Sequence, residues 1–130
     1  MAQERILVIG GGVAGMQAAA ALREAGFAPL ILERSAGMGG HVAQWDRLFP
    51  TQTQAQAVMA ELSSAAQGIE SVTGCEITSL TSDASGVTAL SADGRRFEAR
   101  ATVVATGLDL FDARLTDEDA HGMSENVTTP

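Results

Sequence analysis

Apolar and polar positions follow two different periods in the first third of the chain. An unbroken apolar run at residues 6–9 predicts a strand, and an alanine-rich stretch over about 13–25 has apolar positions at helical spacing. A second apolar run predicts a strand over about 28–33 that opens with Pro29. Proline donates no hydrogen bond to a neighbouring strand, so an internal strand tolerates it only at its start. The pattern predicts a strand–helix–strand unit of a parallel sheet.

The helix predicted over 13–25 carries small side chains on one side. Ala14, Ala18, Leu22 and Ala25 are spaced to line one face, where they would let the helix lie close to the sheet. We therefore expect this face to be the buried one.

The rest of the chain changes from helical to strand periodicity. A second amphipathic helix is expected over 53–66. Residues 74–100 contain three short β-patterned segments separated by Ser-Gly and Asp-Gly turns, which predicts a three-stranded antiparallel meander. A last apolar run at 102–105 predicts a parallel strand. The predicted fold class is therefore α/β, with a Rossmann-like parallel sheet of βαβ type and an inserted three-stranded antiparallel β-meander.

Three glycines stand where the first strand passes into the helix. Gly10, Gly12 and Gly15 have G-x-G-x-x-G spacing, which indicates a dinucleotide site when it follows a strand and opens a helix. Gly10 permits the turn, Gly12 lets the backbone approach a pyrophosphate, and Gly15 lets the helix pack closely on the strand. The phosphate would lie on free N–H groups at the positive end of the helix dipole. The alternative is a βαβ unit that binds no ligand.

Glu33 ends the second strand, about 20 residues beyond the glycines, where dinucleotide folds place the acid that binds a ribose. A carboxylate there can accept hydrogen bonds from both hydroxyls of an adenosine ribose, and it would repel a 2′-phosphate. The position therefore favours FAD or NAD over NADP. The alternative is that Glu33 is only a solvated strand end.

Two later segments add further candidate contacts. Gly39 and Gly40 follow the ribose acid and suit a loop that wraps the pyrophosphate and ribityl of a long cofactor, which favours FAD over NAD. Thr106 and Gly107 follow the last strand at the carboxyl edge of the sheet, where such sheets bind their ligands. Plain turns are the alternative for both segments. His41 is a lone histidine, of a kind more often structural than catalytic, but it would lie near a bound FAD.

Composition bounds the size and the chemistry. The chain has 130 residues, enough for one domain but few for a complete dinucleotide-dependent enzyme. A single cysteine, Cys75, excludes an internal disulfide and any iron–sulfur or zinc site supplied by this chain alone, so we expect no metal. Cys75 itself is expected to be a small apolar core residue. This cysteine usage, with no signal peptide or membrane-spanning run in the sequence, predicts a cytoplasmic protein without direct membrane insertion.

The charge is strongly acidic and unevenly distributed. Eight arginines and no lysine stand against sixteen acids, a formal net charge of −8, which argues against nucleic acid as a partner. An acidic surface does not prevent backbone N–H groups from binding a pyrophosphate. The acids concentrate in a predicted tail at about 109–130, which is either a solvated segment or a contact surface for another domain or subunit.

Several segments together resemble one group of proteins. VIGGGVAG at the first strand, LILER at the second, GMGGHVAQ in the next loop and RATVVATG at the last strand closely resemble the N-terminal half of the FAD domain in two-dinucleotide-binding flavoproteins. Within these, GGHVAQWDRLFP and ATGLDLFDARL resemble the flavoprotein A subunits of heterodisulfide reductases and of quinone-interacting membrane-bound oxidoreductases. The match covers nearly the whole chain.

The resemblance implies a set of FAD contacts and no catalytic residue. It assigns the first glycine loop to the pyrophosphate, the end of the second strand to the adenosine ribose, the second glycine loop to the pyrophosphate and ribityl, and the last strand to a strand-end contact. The residues so implied are, in that order, Gly10, Gly12, Val13, Ala14 and Gly15; Glu33 and Arg34; Gly39, Gly40 and His41; and Ala105, Thr106 and Gly107.

Two departures limit what the resemblance implies. Members of this group commonly carry cysteines soon after the L-x-x-x-F-P segment, but residues 49–57 contain none, which argues against cluster-linked or thiol chemistry by this chain. Members also close the FAD site with a later glycine–aspartate segment and a second domain, which this sequence lacks. We therefore expect one incomplete FAD/NAD(P)-binding domain over residues 1–130, as a truncated form, a gene fragment, or a subunit completed by another domain or chain, a second copy included.

Three functions remain open at the level of sequence. The leading one is the FAD-binding domain of an electron-transferring flavoprotein oxidoreductase of the heterodisulfide reductase A-like type, not a complete enzyme alone. The second is a non-catalytic nucleotide-binding or assembly module completed by a partner chain. The third, a free-standing NAD-dependent dehydrogenase, is disfavoured by the Gly39-Gly40 segment and by the lack of a substrate domain.

Overall fold

A computed structural model describes residues 2–109, and a four-stranded parallel sheet forms their centre. Its strands are β1 (Arg5–Ile9), β2 (Ala28–Leu32), β5 (Glu70–Val72) and β9 (Ala101–Val104). Their spatial order is β5-β2-β1-β9, and every neighbouring pair runs parallel. This is the strand order of one half of a Rossmann-type sheet, so the predicted fold class is confirmed.

Helix α1 (Val13–Glu24) packs on the sheet through a different face from the predicted one. Its buried residues are Gly15, Met16, Ala19 and Ala20, whereas Ala14 and Ala25 are exposed and Ala18 and Leu22 are half-buried. The predicted face is wrong because small residues occur on every side of this helix, so their spacing does not fix its rotation about its axis. The close packing of Gly15 on the glycine loop fixes that rotation instead.

A second helical region lies between β2 and β5. It contains a short 3-10 helix (Gly40–Gln44), a two-stranded ladder of β3 (Arg47–Leu48) and β4 (Thr53–Gln54), and helix α2 (Ala55–Ala65). The predicted second helix is confirmed, while the short ladder was not predicted. Arg23 of α1 donates hydrogen bonds to the carbonyl oxygens of Ala65 and Gln67, at 2.7 and 2.6 Å, and so satisfies carbonyls at the C-terminus of α2.

The predicted meander is present as a separate antiparallel sheet. Its strands are β6 (Ile77–Asp83), β7 (Gly86–Ser91) and β8 (Arg96–Ala99), in that spatial order. Ala89 of β7 is fully buried and belongs to one core cluster with Leu7 and Leu30 of the parallel sheet. The meander therefore covers one face of that sheet.

The parallel strands are continuous apolar runs because both of their faces are covered. Alternate side chains of a strand point to opposite faces. Leu7 lies in the cluster beneath the meander, while Val8 packs with Ala19 of α1 and Ile31 on the other face. The result is three layers, with helices on one side and the meander on the other. The carboxyl ends of β1, β2 and β9 meet at one edge of this arrangement.

The expectations for the acidic tail and for membrane insertion can be compared only with the described residues. Of the predicted acidic tail at about 109–130, only Asp109 lies within residues 2–109. Over those residues, neither helix has the length and apolar character needed to cross a bilayer.

Candidate dinucleotide-binding site

The loop between β1 and α1 is held tightly at both of its ends. Gly10 has φ +107°, and a Cβ added there would lie 2.2 Å from the carbonyl oxygen of Ala105. A Cβ added at Gly15 would lie 1.8 Å from the carbonyl oxygen of Gly10. Packing within the chain therefore accounts for both glycines. For Gly15, the glycine spacing had predicted this close packing of the helix on the strand.

Gly12, at the middle of the same loop, is different. Its φ of −77° is available to any residue, and a Cβ added there would meet nothing nearer than the Cα of Gly40 at 3.9 Å. Neither backbone strain nor packing explains why this position is a glycine. The open space beside it fits the close approach of an external group such as a pyrophosphate.

Among residues 2–109, no side chain caps the N-terminus of α1. Gly12 is the N-cap residue and makes no side-chain hydrogen bond, and the first turn, which starts with Val13 and Ala14, contains no acidic residue. The first N–H groups of a helix have no intrahelical acceptor and carry the positive end of the helix dipole. This end of α1 thus has the donors that an anionic group requires.

The second glycine loop packs directly on the first. The Gly39 N–H donates to the carbonyl oxygen of Gly11 at 2.7 Å, and Gly12 and Gly39 form an isolated parallel bridge. A Cβ at Gly39 would lie 2.5 Å from the terminal methyl of Met59, and one at Gly40 would lie 3.3 Å from the Cα of Gly12. Contacts inside the chain therefore account for both glycines. They bring the loop to the edge of the candidate site, while a direct contact with a cofactor stays a prediction.

Glu33 lies just beyond β2 and is buried, with 8% of its surface exposed. Its Oε2 accepts a hydrogen bond from the Gly11 N–H at 2.6 Å, and its Oε1 accepts one from the Ser35 N–H at 2.8 Å. The side chain is therefore not a solvated strand end. A carboxylate offers about four lone-pair sites, so each oxygen keeps capacity for a further donor such as a ribose hydroxyl.

A cleft of about 280 Å³ opens at the carboxyl ends of β1, β2 and β9. Thr106 and Gly107 line it on one side, and the segment before and at the start of β6 lines it on another. Ala105 lies beneath Gly10, because its N–H donates to the Ile9 carbonyl oxygen at 2.8 Å. The lining residues are Ile9, Gly10, Leu32, Glu33, Arg34, Cys75, Glu76, Ile77, Thr106, Gly107, Leu108 and Asp109.

Two polar contacts join the loops on either side of this cleft. Arg34 Nη2 donates to Asp109 Oδ1 at 2.7 Å, and this hydrogen bond, followed by the charge of Asp109, raises the pKa of the Arg34 guanidinium. His41 Nε2 lies 2.9 Å from the Leu108 carbonyl oxygen. A carbonyl oxygen only accepts, so Nε2 carries the proton in this contact.

The thiol of Cys75 also faces the cleft lining but is almost completely buried. Burial raises its pKa, and the Arg95 guanidinium opposes that shift only in part. The sequence around Cys75 contains no cation, and the fold brings Arg95 near from the far side of the meander. A raised pKa keeps the group a neutral thiol, in agreement with the prediction of a core residue. No group of three or more metal-ligating side chains was found among residues 2–109.

The structure adds contacts that the sequence patterns did not assign. Gly11 donates to Glu33, Glu76 and Ile77 line the cleft, and Asp109 pairs with Arg34. Asp109 could have been inferred, because it lies just after a strand whose carboxyl end meets that of β2 at the same edge of the sheet. Gly11 occupies an unspecified position of the G-x-G-x-x-G pattern, so that pattern contains no signal for its role.

A parallel sheet in this order, a glycine loop leading into an uncapped helix, and a buried acid just beyond the next strand define a Rossmann-type dinucleotide-binding domain. A family model matches almost the whole sequence. The chain belongs to the pyridine nucleotide-disulphide oxidoreductase family, whose model matches residues 1–126. Membership indicates an oxidoreductase domain with FAD as its cofactor.

Individual proteins narrow the relationship. The chain is 44% identical over 57 residues to the second CoB–CoM heterodisulfide reductase iron-sulfur A subunit of Methanopyrus kandleri, and the match covers 44% of this chain and 9% of that protein. It is 44% identical over 59 residues to the A subunit of the ferredoxin:CoB-CoM heterodisulfide reductase of Methanosarcina mazei, with 45% and 7% covered. The matched region thus spans less than a tenth of the length of either curated relative.

A solved structure supports the fold independently. Thioredoxin reductase from Lactococcus lactis superposes with a TM-score of 0.74 at 20% identity, covering 93% of this chain and 41% of that one. At this level of identity the similarity establishes the architecture. The predicted relationship to heterodisulfide reductase A subunits is confirmed by the sequence matches and not by this superposition.

Proposed function

We propose that this chain is the FAD-binding part of an electron-transferring flavoprotein oxidoreductase of the heterodisulfide reductase A-like type. The observation that carries the proposal is the open space at Gly12 beside the uncapped N-terminus of α1. When bound, FAD supplies the redox chemistry, and the chain's own residues bind and orient it. Val13 and Ala14 contribute backbone N–H groups to the pyrophosphate in this proposal.

Glu33 supports the adenosine end of the site. Its two backbone hydrogen bonds fix the carboxylate at the carboxyl edge of the sheet, so a ribose would meet an acceptor that is already oriented. Thr106 and Gly107 approach the same cleft from β9. Residues from three strand ends therefore surround one small volume, which is how Rossmann-type domains bind a nucleotide.

Another polypeptide segment is proposed to complete the site. Ligand pockets commonly enclose roughly 300–1,000 Å³, and the cleft of about 280 Å³ suits part of a dinucleotide. Strand β9 has β1 on one side and no strand on the other among residues 2–109, and its Val104 is 61% exposed. Beside it, the buried Thr102 hydroxyl lacks a hydrogen-bond partner within those residues.

The identity of that segment follows from the relatives as a proposal. The two heterodisulfide reductase A subunits are much longer than the matched region, so a further domain or a partner chain is the proposed contributor. A second copy of this chain is the alternative contributor. The cytoplasm stays the predicted compartment, on the basis of the single free cysteine.

The first test asks whether the chain binds a flavin. We expect the purified chain to show a flavin absorption spectrum or, in calorimetric titrations, a lower dissociation constant for FAD than for NAD. If neither nucleotide binds, the proposal is contradicted and the non-catalytic assembly module remains as the function. Tighter binding of NAD than FAD would contradict the assignment of the cofactor.

The second test addresses Gly12 directly. Gly12→Ala should retain the thermal unfolding midpoint, because its Cβ has open space, while Gly12→Ala and more strongly Gly12→Glu should obstruct the pyrophosphate. We expect the dissociation constant for FAD to rise by about ten-fold or more for Gly12→Ala, and Gly12→Glu to abolish binding. Gly37→Ala is the matched control, because Gly37 also has open space and no positive φ and is not among the residues proposed to contact the cofactor. Unchanged affinity in Gly12→Glu would remove the phosphate role of the loop.

A further inference from the structure

The cleft contains one cation among several acids. Of the described residues that line it, Arg34 is the single cation, while Glu33, Glu76 and Asp109 are carboxylates. An arginine next to the ribose-binding acid is the group that sites for NADP use to accept a 2′-phosphate. The Glu33-Arg34 pair in the sequence therefore contains both a group that repels a 2′-phosphate and a group that attracts one.

The geometry decides between these two groups. The Arg34 guanidinium donates to Asp109 Oδ1 at 2.7 Å, and Asp109 comes from the segment after β9, on the other side of the cleft. The residue before Asp109 is tied as well, since His41 Nε2–H donates to the Leu108 carbonyl oxygen at 2.9 Å. Asp109 is thus positioned by its own chain to pair with Arg34.

We propose that Asp109 is a specificity-determining residue of the nucleotide site, which pairs with Arg34 and so keeps that cation from binding a 2′-phosphate. The inference rests on the proposed nucleotide-binding function. With Arg34 paired, a 2′-phosphate would meet three carboxylates and no free cation among the cleft-lining residues within 2–109. The unphosphorylated ribose of FAD or NAD adds no such charge, so the site selects these nucleotides over NADP.

Glu33 does not achieve this selection alone. Both of its oxygens accept backbone N–H groups, and these donors partly compensate its charge towards a ligand. The carboxylate of Asp109 is exposed over 74% of its side chain, so its ion pair with Arg34 lies at the surface. An exposed ion pair contributes little to folding, which means that Asp109 can be replaced without loss of the fold.

The test compares two ligands that differ only in the 2′-phosphate. Dissociation constants for ADP-ribose and 2′-phospho-ADP-ribose are measured by calorimetry with the full chain and with Asp109→Asn, Arg34→Gln and the double variant. In Asp109→Asn we expect the affinity for the 2′-phosphorylated ligand to rise by about five-fold, and that for ADP-ribose to change by less than about two-fold. The gain should disappear in the double variant and should shrink at high salt.

Each outcome separates the inference from the function on which it rests. Binding of ADP-ribose with an unchanged ratio of the two constants in Asp109→Asn overturns the specificity role and leaves the nucleotide site. A gain that persists in the double variant overturns it too, because the gain then does not depend on Arg34. Equal weakening of both ligands indicates a purely structural residue and overturns the specificity role as well. A wild-type chain that binds neither ligand overturns the inference together with the proposed function.

Discussion

The glycine loop at residues 10–15 and the turn at residues 91–95 both contain glycine at the end of a strand, but they satisfy their polar groups in different ways. In the turn, the Ser91 hydroxyl donates to the Asp93 carboxylate and accepts from the Arg95 N–H at 2.9 Å. The Arg95 guanidinium donates to the same carboxylate and to the Gly74 carbonyl oxygen, both at 3.0 Å. Its own side chains close this turn.

Within residues 2–109, the glycine loop is closed only in part, because Glu33 accepts the Gly11 N–H but no side chain caps the helix that follows. Helix α1 starts without a side-chain cap, and Gly12 has space on its open side. The first N–H groups of a helix are satisfied by side chains, by water or by a ligand. Within residues 2–109, glycine spacing alone therefore does not distinguish a turn closed by its own side chains from a loop that leads into an uncapped helix with open space beside it.

The largest expected effect is at Gly15, where the loop packs against its own chain. Gly15→Ala should lower the free energy of unfolding by about 3 kcal/mol, because its Cβ would overlap the Gly10 carbonyl oxygen. Urea denaturation followed by circular dichroism measures this change. Gly12→Ala in the same assay is the control and should resemble the wild type. A loss of less than about 1 kcal/mol in Gly15→Ala would show that the helix shifts at little cost. It would contradict the claim that packing within the chain requires glycine at position 15.

An intermediate effect is expected at Glu33, which accepts hydrogen bonds from the backbone and is proposed to bind the ribose as well. Glu33→Ala should weaken ADP binding by roughly 1.5–3 kcal/mol, the range for hydrogen bonds to a charged group. It should also lower stability, because the Gly11 and Ser35 N–H groups lose their acceptor.

A second ligand separates these two roles of Glu33. The wild type should bind ADP more tightly than 2′-deoxy-ADP, and Glu33→Ala should bind both equally. Calorimetric titration of the four combinations gives the coupling directly. If the preference for ADP survives in Glu33→Ala, the carboxylate holds only the loop and does not contact the ribose.

The smallest expected effect concerns the closed turn. Hydrogen bonds from Arg95 and then from Ser91 lower the pKa of Asp93 from 3.8 to about 2. Stability from a depressed carboxylate pKa is present above the unfolded value and is lost as pH falls towards the folded value. The wild type should therefore melt a few degrees above Asp93→Asn at neutral pH, and the gap should close between about pH 4 and pH 2.

The Asp93→Asn variant isolates the charge, because Asn-Gly also favours tight turns. Thermal unfolding at several pH values gives the gap, and the other carboxylates titrate alike in both proteins. A gap that stays constant down to pH 2 would mean that Asp93 has an ordinary pKa. The turn would then owe its closure to backbone bonds and not to its side chains.

The sequence predicted the features that depend on local pattern. Apolar runs marked β1 and β2, the glycine spacing marked the loop, and the Asp-Gly turn marked the meander. The face of α1 was mispredicted, because alanines on all sides leave its rotation to the contact between Gly15 and Gly10. The pairing of β5 with β2 in the parallel sheet was not foreseen either, since three residues contain no signal for their neighbour.

The candidate site was predicted as a set of segments and not as a set of contacts. The strand ends that meet at one edge follow from the topology, so Glu33 and Thr106 could be placed near each other. The partners of individual side chains could not, because they depend on loops that approach from distant parts of the chain. Arg34 with Asp109 and Arg95 beside Cys75 are both of this kind.

The central position of β1 has a consequence for the order of events during synthesis. β1 is made before its neighbour β9, which follows only after α1, α2 and the meander. Because the turn at Gly10 rests on the Ala105 carbonyl, a nascent chain that has not reached β9 has no finished nucleotide loop. The proposed nucleotide site can therefore form only once β9 has been made, and until then β1 lacks one of its two neighbouring strands.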